Sequence, residues 1–414
     1  MITSVPQTLS LQSATKSLRL VGIMLLAVLL VGSISAGQLR PAQAAARADQ
    51  GLLTLAAQQP TRTVSVIIRL AEQAGGIEQQ IRTLGGRVTS DLSIIRSVVA
   101  ELPAGAILTL AQDSTIFWIS PDSTVTNSAC LECISASNLT NTYIQAIQAD
   151  KAWAQGYQGQ GVGVAVVDSG VNFQTDLYTI MGRNRVVSSV AYNRGYNTTT
   201  FDAYSHGSHV AGIIGGNGRA SNGKYIGVAP QVNIINVKVS DDLNNGAGTA
   251  SSVVKGLQWI LNNKAAYNIR VVNISINSDT SESYHVNPID AAAEILWNNG
   301  IVVVTSSGNR GESAVYPPAN DPFVITVGAS DDKGTAAIGD DSVATFSAYG
   351  TTADGFSKPD LVAPGKNIVS LMGNMGMGLP AAHPRNVVDL TYFRMSGTSV
   401  SAPMVAAAAA ALHD

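Results

Sequence analysis

The sequence predicts an α/β protein: a mostly parallel sheet with helices on both faces, preceded by a small α+β domain of ferredoxin-like layout. Three observations carry this. Strands such as "GVGVAVVD" (161–168), "IRVVNISI" (269–276) and "GIVVVTSSGN" (300–309) are almost uninterrupted apolar runs. Helical stretches, "TASSVVKGLQWILNNKA" and "PIDAAAEILWNNG", lie between them. Strands without polar alternation, separated by helices, indicate a parallel sheet covered on both faces. The third observation is a shorter pattern upstream, over residues 61–122, in which strand and helix follow the order βαββαβ.

That upstream domain reads element by element. "TVSVIIRL" is a strand rich in β-branched residues. "GGIEQQIRTLGG" places Ile77, Ile81 and Leu84 on one helical face between glycines. "RVTSDLSII" and "RSVVAELP" are two further strands, "AGAILTLAQD" a short helix and "TIFWIS" the last strand. A linker rich in Ser, Thr and Asn occupies 123–139, and the large α/β domain runs over 140–414.

Composition bounds the function. The 414 residues are 45% hydrophobic and only 13% charged, which describes a folded protein with a full core. A net charge of −3 gives no electrostatic attraction to nucleic acid. Residues 1–44 read as a signal peptide: no acidic residue precedes Asp49, and Lys16 and Arg19 flank the apolar run "LVGIMLLAVLLVG". Ala42 and Ala44 offer a small-x-small cleavage site, with an uncleaved membrane anchor as the alternative. Cys130 and Cys133 in "CLEC" lack further ligands for a zinc site, and both a local disulfide and two inert thiols remain open.

Ligands of open parallel sheets bind at the carboxyl ends of the strands, so the polar residues there are the ones to weigh. Asp168 ends a buried strand, His206 begins a helix in "YSHGSHVAGIIGG", and Ser399 begins another in "SGTSVSAPMVAA". Taken singly, each has a bland reading as a turn residue, a structural histidine or a helix cap. Together they supply what nucleophilic catalysis needs. A serine hydroxyl requires an adjacent base, and the base requires a carboxylate to orient it. Asn309, after the strand "IVVV", adds a donor for an oxyanion.

With these motifs the chain resembles the subtilisin-like (subtilase) family of serine endopeptidases. The resemblance runs from about Gln145 to the last residue and includes "GVAP" (Gly227–Pro230), "VKV" (Val237–Val239), "GLQWI", "KPDLVAPG" (Lys358–Gly365) and "GTSVSAP". It implies a subtilisin-like fold, a triad of Asp168, His206 and Ser399, and an oxyanion site made by Asn309 and the Ser399 N–H. His209 would be structural, and His285, His383 and His413 match no catalytic motif. Asn245, Gly246, Ala247 and Gly248 would pair with the substrate backbone, as would Ser275, Ile276 and Asn277; Ser306, Ser307 and Gly308 would wall the primary pocket. The upstream domain resembles the family's propeptide, an intramolecular chaperone and inhibitor, removed by a cut within Pro121–Asn141. Protein or peptide substrates and a monomeric state are further implications.

Departures from the family pattern carry their own expectations. "SINS" (Ser275–Ser278) stands where Ser-Leu-Gly-Gly is common, so Asn277 and Ser278 predict a narrower or more polar pocket. Met404 replaces a frequent histidine without touching the triad. The connection 370–395, "SLMGNMGMGLPAAHPRNVVDLTYFRM", is long, which suggests a glycine-hinged flap beside the leaving-group side of the cleft. Its Met372, Met375 and Met377 read as packing residues rather than soft-metal ligands. The chemistry needs no cofactor; the resemblance admits a structural calcium ion, with Asp176 in "FQTDL" the candidate ligand. Family domains continue beyond the serine helix, so the chain reads as C-terminally truncated. The competing readings are a non-catalytic scaffold on the same fold, and a lipase or esterase. The latter lacks a G-x-S-x-G motif around Ser399.

Overall fold

Asp49 accepts a hydrogen bond from the Leu52 N–H (3.0 Å) and so starts a helix, Gln50–Gln58, that lies upstream of the boundary expected at residue 61. Leu52 and Ala56 bury one face of it against the helix Ala106–Leu110. The computed structural model describes residues 47–71, 76–127, 141–193, 199–311 and 315–414, and Arg47–Asp414 forms one compact unit. Residues 1–44 and the pair Cys130 and Cys133 lie outside the described residues.

Strands β1 (Thr63–Leu70), β2 (Arg87–Leu92), β3 (Ser97–Pro103) and β4 (Ile116–Pro121) form an antiparallel sheet in the order β2-β3-β1-β4. The helices Ile77–Thr83 and Ala106–Leu110 complete the βαββαβ order, with Ile81, Ile107 and Leu110 buried against the sheet. One predicted strand is shorter than its sequence pattern. β2 ends at Leu92, and Ser93–Ile95 forms a single 3-10 turn. Ile95 is buried there with Leu257, Ile289 and Leu296 of the larger domain, so interdomain packing overrides strand propensity. Beyond β4, Thr124–Asn127 forms β5 within the segment read as linker.

In the larger domain the strands β6 (Gly163–Asp168), β7 (Val186–Ala191), β8 (Asn233–Lys238), β9 (Ser240–Asp241), β10 (Ala247–Thr249), β11 (Ile269–Ile274), β12 (Ile276–Ser278), β13 (Val302–Ser306) and β14 (Ile325–Asp331) follow. The main sheet has the order β7-β8-β6-β11-β13-β14, parallel throughout, extended by Leu361–Pro364 and by a short antiparallel strand, Ser342–Val343. One face is covered by His206–Gly215 and Thr398–Ala411, the other by Ala250–Asn263 and Pro288–Asn298. Both faces are apolar, which is why the strands lack alternation. The run "IRVVNISI" is not one strand: it breaks at Ser275 and delivers β12 to a second, small sheet.

The upstream domain packs on the helix pair Ala250–Asn263 and Pro288–Asn298. Asp122 accepts from the Ser251 N–H (2.9 Å) at the positive end of the first helix, and Ile94 N donates to Gln258 Oε1 (3.1 Å). Arg69 donates to the carbonyls of His285 and Val286. Beneath this contact lie buried carboxyls. Burial pushes Glu282 up to about 7, with Asp49 nearby and Trp118 and Ser120 facing it, and pushes Asp321 up to about 7. Asp290, fully buried beside Asp321, Glu294 and Glu282, is raised well above the ordinary carboxylate range. The fold therefore favours their neutral forms. Stability present at low pH is lost as pH rises through about 7, because the unfolded chain ionises first. In the Ser399→Ala variant, the melting temperature should be lower at pH 8 than at pH 5. Glu282→Gln should recover about 2–4 °C at pH 8 and little at pH 5; equal effects at the two pH values would contradict this.

Candidate active site

Three chain segments meet at the carboxyl end of the parallel sheet. β6 is buried along its whole length and ends at Asp168, where the chain bends and Gly170 takes a φ of +117°. His206 is the first residue of the helix His206–Gly215. A Cβ on Gly207 would sit 2.2 Å from the Gly170 carbonyl oxygen, so glycine after the histidine lets the helix start press against that bend. Ser399 is the second residue of the helix Thr398–Ala411. His206 Nδ1 lies 2.8 Å from Asp168 Oδ1, and His206 Nε2 lies 2.9 Å from Ser399 Oγ. All three side chains are fully buried.

Ser399 sits in a locally altered helix. Pro403 has no N–H to close the i→i−4 bond on the Ser399 carbonyl. Ser275 Oγ donates to that carbonyl instead (3.1 Å) and in turn accepts from Asn273 Nδ2 (2.8 Å). Asn309 Oδ1 accepts from Thr398 N (2.9 Å) and Thr398 Oγ1 (3.1 Å), which fixes the amide so that Nδ2 is its donating end. The structure thus brings Asn309 to the first turn of the serine helix, whose N–H groups also favour negative charge.

A polar layer that sequence reading missed supports the histidine. Asp202 is fully buried and accepts from Ser169 Oγ (2.9 Å), Ser205 N (2.8 Å) and Ser208 N (2.8 Å); burial raises its pKa despite these bonds. Ser169 Oγ also accepts from Gly207 N (2.9 Å), and Ser169 N donates to Asp168 Oδ1 (2.7 Å). The acid at the fourth position before His206 was the available signal. His209 points away from the site: its Nε2 faces the carbonyls of Ile368 (3.2 Å) and Phe393 (3.1 Å), and burial lowers its pKa to about 3.

The edges expected to bind substrate backbone already hold a strand of this chain. β5 lies between β10 and β12, antiparallel to both. Gly248 pairs with Val125 and Thr249 with Thr124, while Ile276 pairs with Asn127, Asn277 with Thr126 and Ser278 with Val125. Ala247 pairs with Asp241, and Asn245 (φ +50°) and Gly246 (φ +72°) lie just before β10 in the left-handed region. Asn277 and Ser306 are joined, Asn277 Nδ2 donating to the Ser306 carbonyl (2.9 Å). Ser307 is buried beside them, and Gly308 N donates to Thr398 Oγ1 (3.1 Å).

Asp176 is fully buried; its Oδ2 accepts from Tyr392 OH (2.5 Å) and its Oδ1 from Ala220 N (2.7 Å). Among the described residues no group of three or more His, Cys, Asp or Glu side chains is arranged to hold a metal ion. The long connection is tied to the core at several points. Met372 and Leu379 are buried in the core, and Asn374 N donates to Ser205 Oγ (2.9 Å).

A doubly covered parallel sheet with a buried carboxylate–imidazole–hydroxyl chain at its strand ends defines an α/β serine hydrolase. The Subtilase family model matches residues 159–414, and the chain belongs to that family of serine proteases. It is 37% identical over 264 residues to the serine protease AprX of Bacillus subtilis (strain 168), covering 61% of this chain and 57% of the relative. It is 32% identical over 272 residues to subtilisin DY of Bacillus licheniformis, covering 64% and 82%. A thermophilic serine proteinase of Bacillus sp. (strain AK1) is 33% identical over 276 residues, covering 66% and 56%. The chain therefore spans little more than half the length of two of these three relatives.

The surroundings of His209 generate a prediction. With its pKa near 3, it should stay neutral, and its ring resonances should not titrate between pH 5 and pH 8. A titration midpoint inside that window would show that the ring is not locked against the two carbonyls.

Proposed function

We propose that this chain is the precursor of an exported serine endopeptidase that cleaves peptide bonds through an acyl-enzyme. The observation carrying this reading is the unbroken hydrogen-bonded chain Asp168–His206–Ser399 beside a cleft whose two edges pair with a main-chain segment. His206 Nε2 takes the Ser399 proton as Oγ attacks the scissile carbonyl. Asp168 holds the Nδ1–H tautomer and stabilises the imidazolium. Asn309 Nδ2 and the Ser399 N–H receive the oxyanion. The imidazolium gives its proton to the departing amine; water then attacks the ester, with His206 as base, and releases the acid. Every reacting group is a protein side chain or backbone group, so the chemistry calls for no cofactor.

The domain at residues 61–122 is read as a propeptide that blocks the cleft, supported by β5 running antiparallel to both edges. Substrate would bind in the same manner, through main-chain pairing that reads sequence weakly. Export is supported by the apolar, acid-free composition of 1–44; among the described residues, no helix is long and apolar enough to cross a membrane.

Three experiments test this. A fluorophosphonate probe should label the chain once it has processed itself and fail to label Ser399→Ala; labelling that persists in the variant would refute the nucleophile. Asn309→Ala should lower kcat by about 10²–10³-fold with KM little changed, the loss known for removing one oxyanion donor from a subtilisin. N-terminal sequencing of the processed protein should place the cut after Asn127 and before Asn141. A cut within β1–β4 would overturn the propeptide reading.

A further inference from the structure

We propose that the segment Gly373–Leu379 is a positioning strap for the catalytic histidine, clamping the loop that follows Asp168 and the loop that precedes His206 against one another. The inference rests on the triad reading above. The segment belongs to the long connection between Leu371 and Tyr392, which the family resemblance does not explain.

One end of the strap ties to the aspartate side. Asn172, four residues beyond Asp168, donates from Nδ2 to the Gly373 carbonyl (2.9 Å) and to the Asp202 carbonyl (3.0 Å), and its Oδ1 accepts from Asp202 N (2.8 Å). Gln174 Nε2 reaches the Met372 carbonyl (2.7 Å). The other end ties to the histidine side. Asn374 N donates to Ser205 Oγ (2.9 Å), and Leu379 N donates to the Tyr204 carbonyl (3.0 Å).

The contact is close as well as polar. Gly378 has φ +57°, and a Cβ there would meet the Ala203 carbonyl oxygen and Tyr204 Cα at 2.5 Å. At Gly373 a Cβ would lie 2.9 Å from the Asp202 carbonyl oxygen and from Ser205 Oγ. Met372 and Leu379, buried at either end, anchor the strap in the core.

What the strap holds is a strained residue. Ser205 has φ +77°, a conformation costly for a residue with a side chain and kept only where its surroundings over-determine it. Asp202 Oδ1 accepts its N–H and Asn374 N donates to its hydroxyl. The next residue is His206. Relaxation at Ser205 would rotate the start of the histidine helix and loosen the bonds to Asp168 and Ser399.

The test uses Ser205→Ala and Gly378→Ala in the full chain, first left to process itself. Each should slow fluorophosphonate labelling about 10-fold, a barrier change of about 1.4 kcal/mol. Each should also broaden or shift the far-downfield proton resonance of the bond between His206 Nδ1 and Asp168, which a general loss of stability would not move. Leu390→Ala, exposed elsewhere in the same connection, should leave both readouts at the parent value. Parent labelling rate together with a parent resonance in both strap variants would overturn the proposal. If the parent chain itself fails to label, the triad reading falls, while the resonance still reports whether the strap holds the histidine. Gly378→Ala leaves every hydroxyl in place, so it keeps the test standing should Ser205→Ala misfold.

Discussion

The hydrogen bond between His206 Nδ1 and Asp168 Oδ1 is the constraint around which the rest of the site is arranged. It is fully buried, so a misaligned imidazole would leave two polar groups without water to compensate them. The fold meets that demand with a sheet end on one side and a helix start on the other. Gly207 allows close approach, and Ser169 and Asp202 stitch the two loops together. The carboxylate of Asp202 is kept in place by three donors even though burial opposes its charge.

The serine side is solved differently. A helix start presents free N–H groups and a favourable dipole, but its regular ladder would bind the Ser399 carbonyl. Pro403 removes that bond, and Ser275 replaces it from β11–β12. The same break at Ser275 turns β12 out of the main sheet and makes it an edge that pairs with β5. One local irregularity thus couples nucleophile geometry to the surface that pairs with an extended strand. Asn277, where smaller residues are common in the family pattern, ties this edge to Ser306 and gives the wall a polar, crosslinked character.

The upstream domain uses two kinds of surface. Its sheet and 3-10 turn bury apolar side chains against two helices, and Asp122 adds a negative charge at the start of one of them. β5 then joins backbone ladders on both sides. The carboxyls beneath this contact, raised by burial, make its stability depend on pH in the direction opposite to a salt-bridged carboxylate.

The sequence by itself determined the doubly covered parallel sheet, because short apolar runs without alternation, separated by helices, suit strands buried on both faces, and it singled out Asp168, His206, Ser399 and Asn309 by residue type at strand and helix ends. It also carried the βαββαβ order upstream, through periodicity and glycine punctuation. Only the tertiary structure decided the rest. It shortened β2, since Ile95 packs better between two helices than in a strand. It gave Asp176 its hydrogen-bond donors, Tyr392 OH and Ala220 N, partners 216 and 44 residues away. It tied the long connection to Ser205, and it paired Gly248 and Thr249 with β5. Periodicity and local turn chemistry are written in neighbouring residues; register, burial and the partners of a carboxylate depend on segments that meet only when the chain has folded.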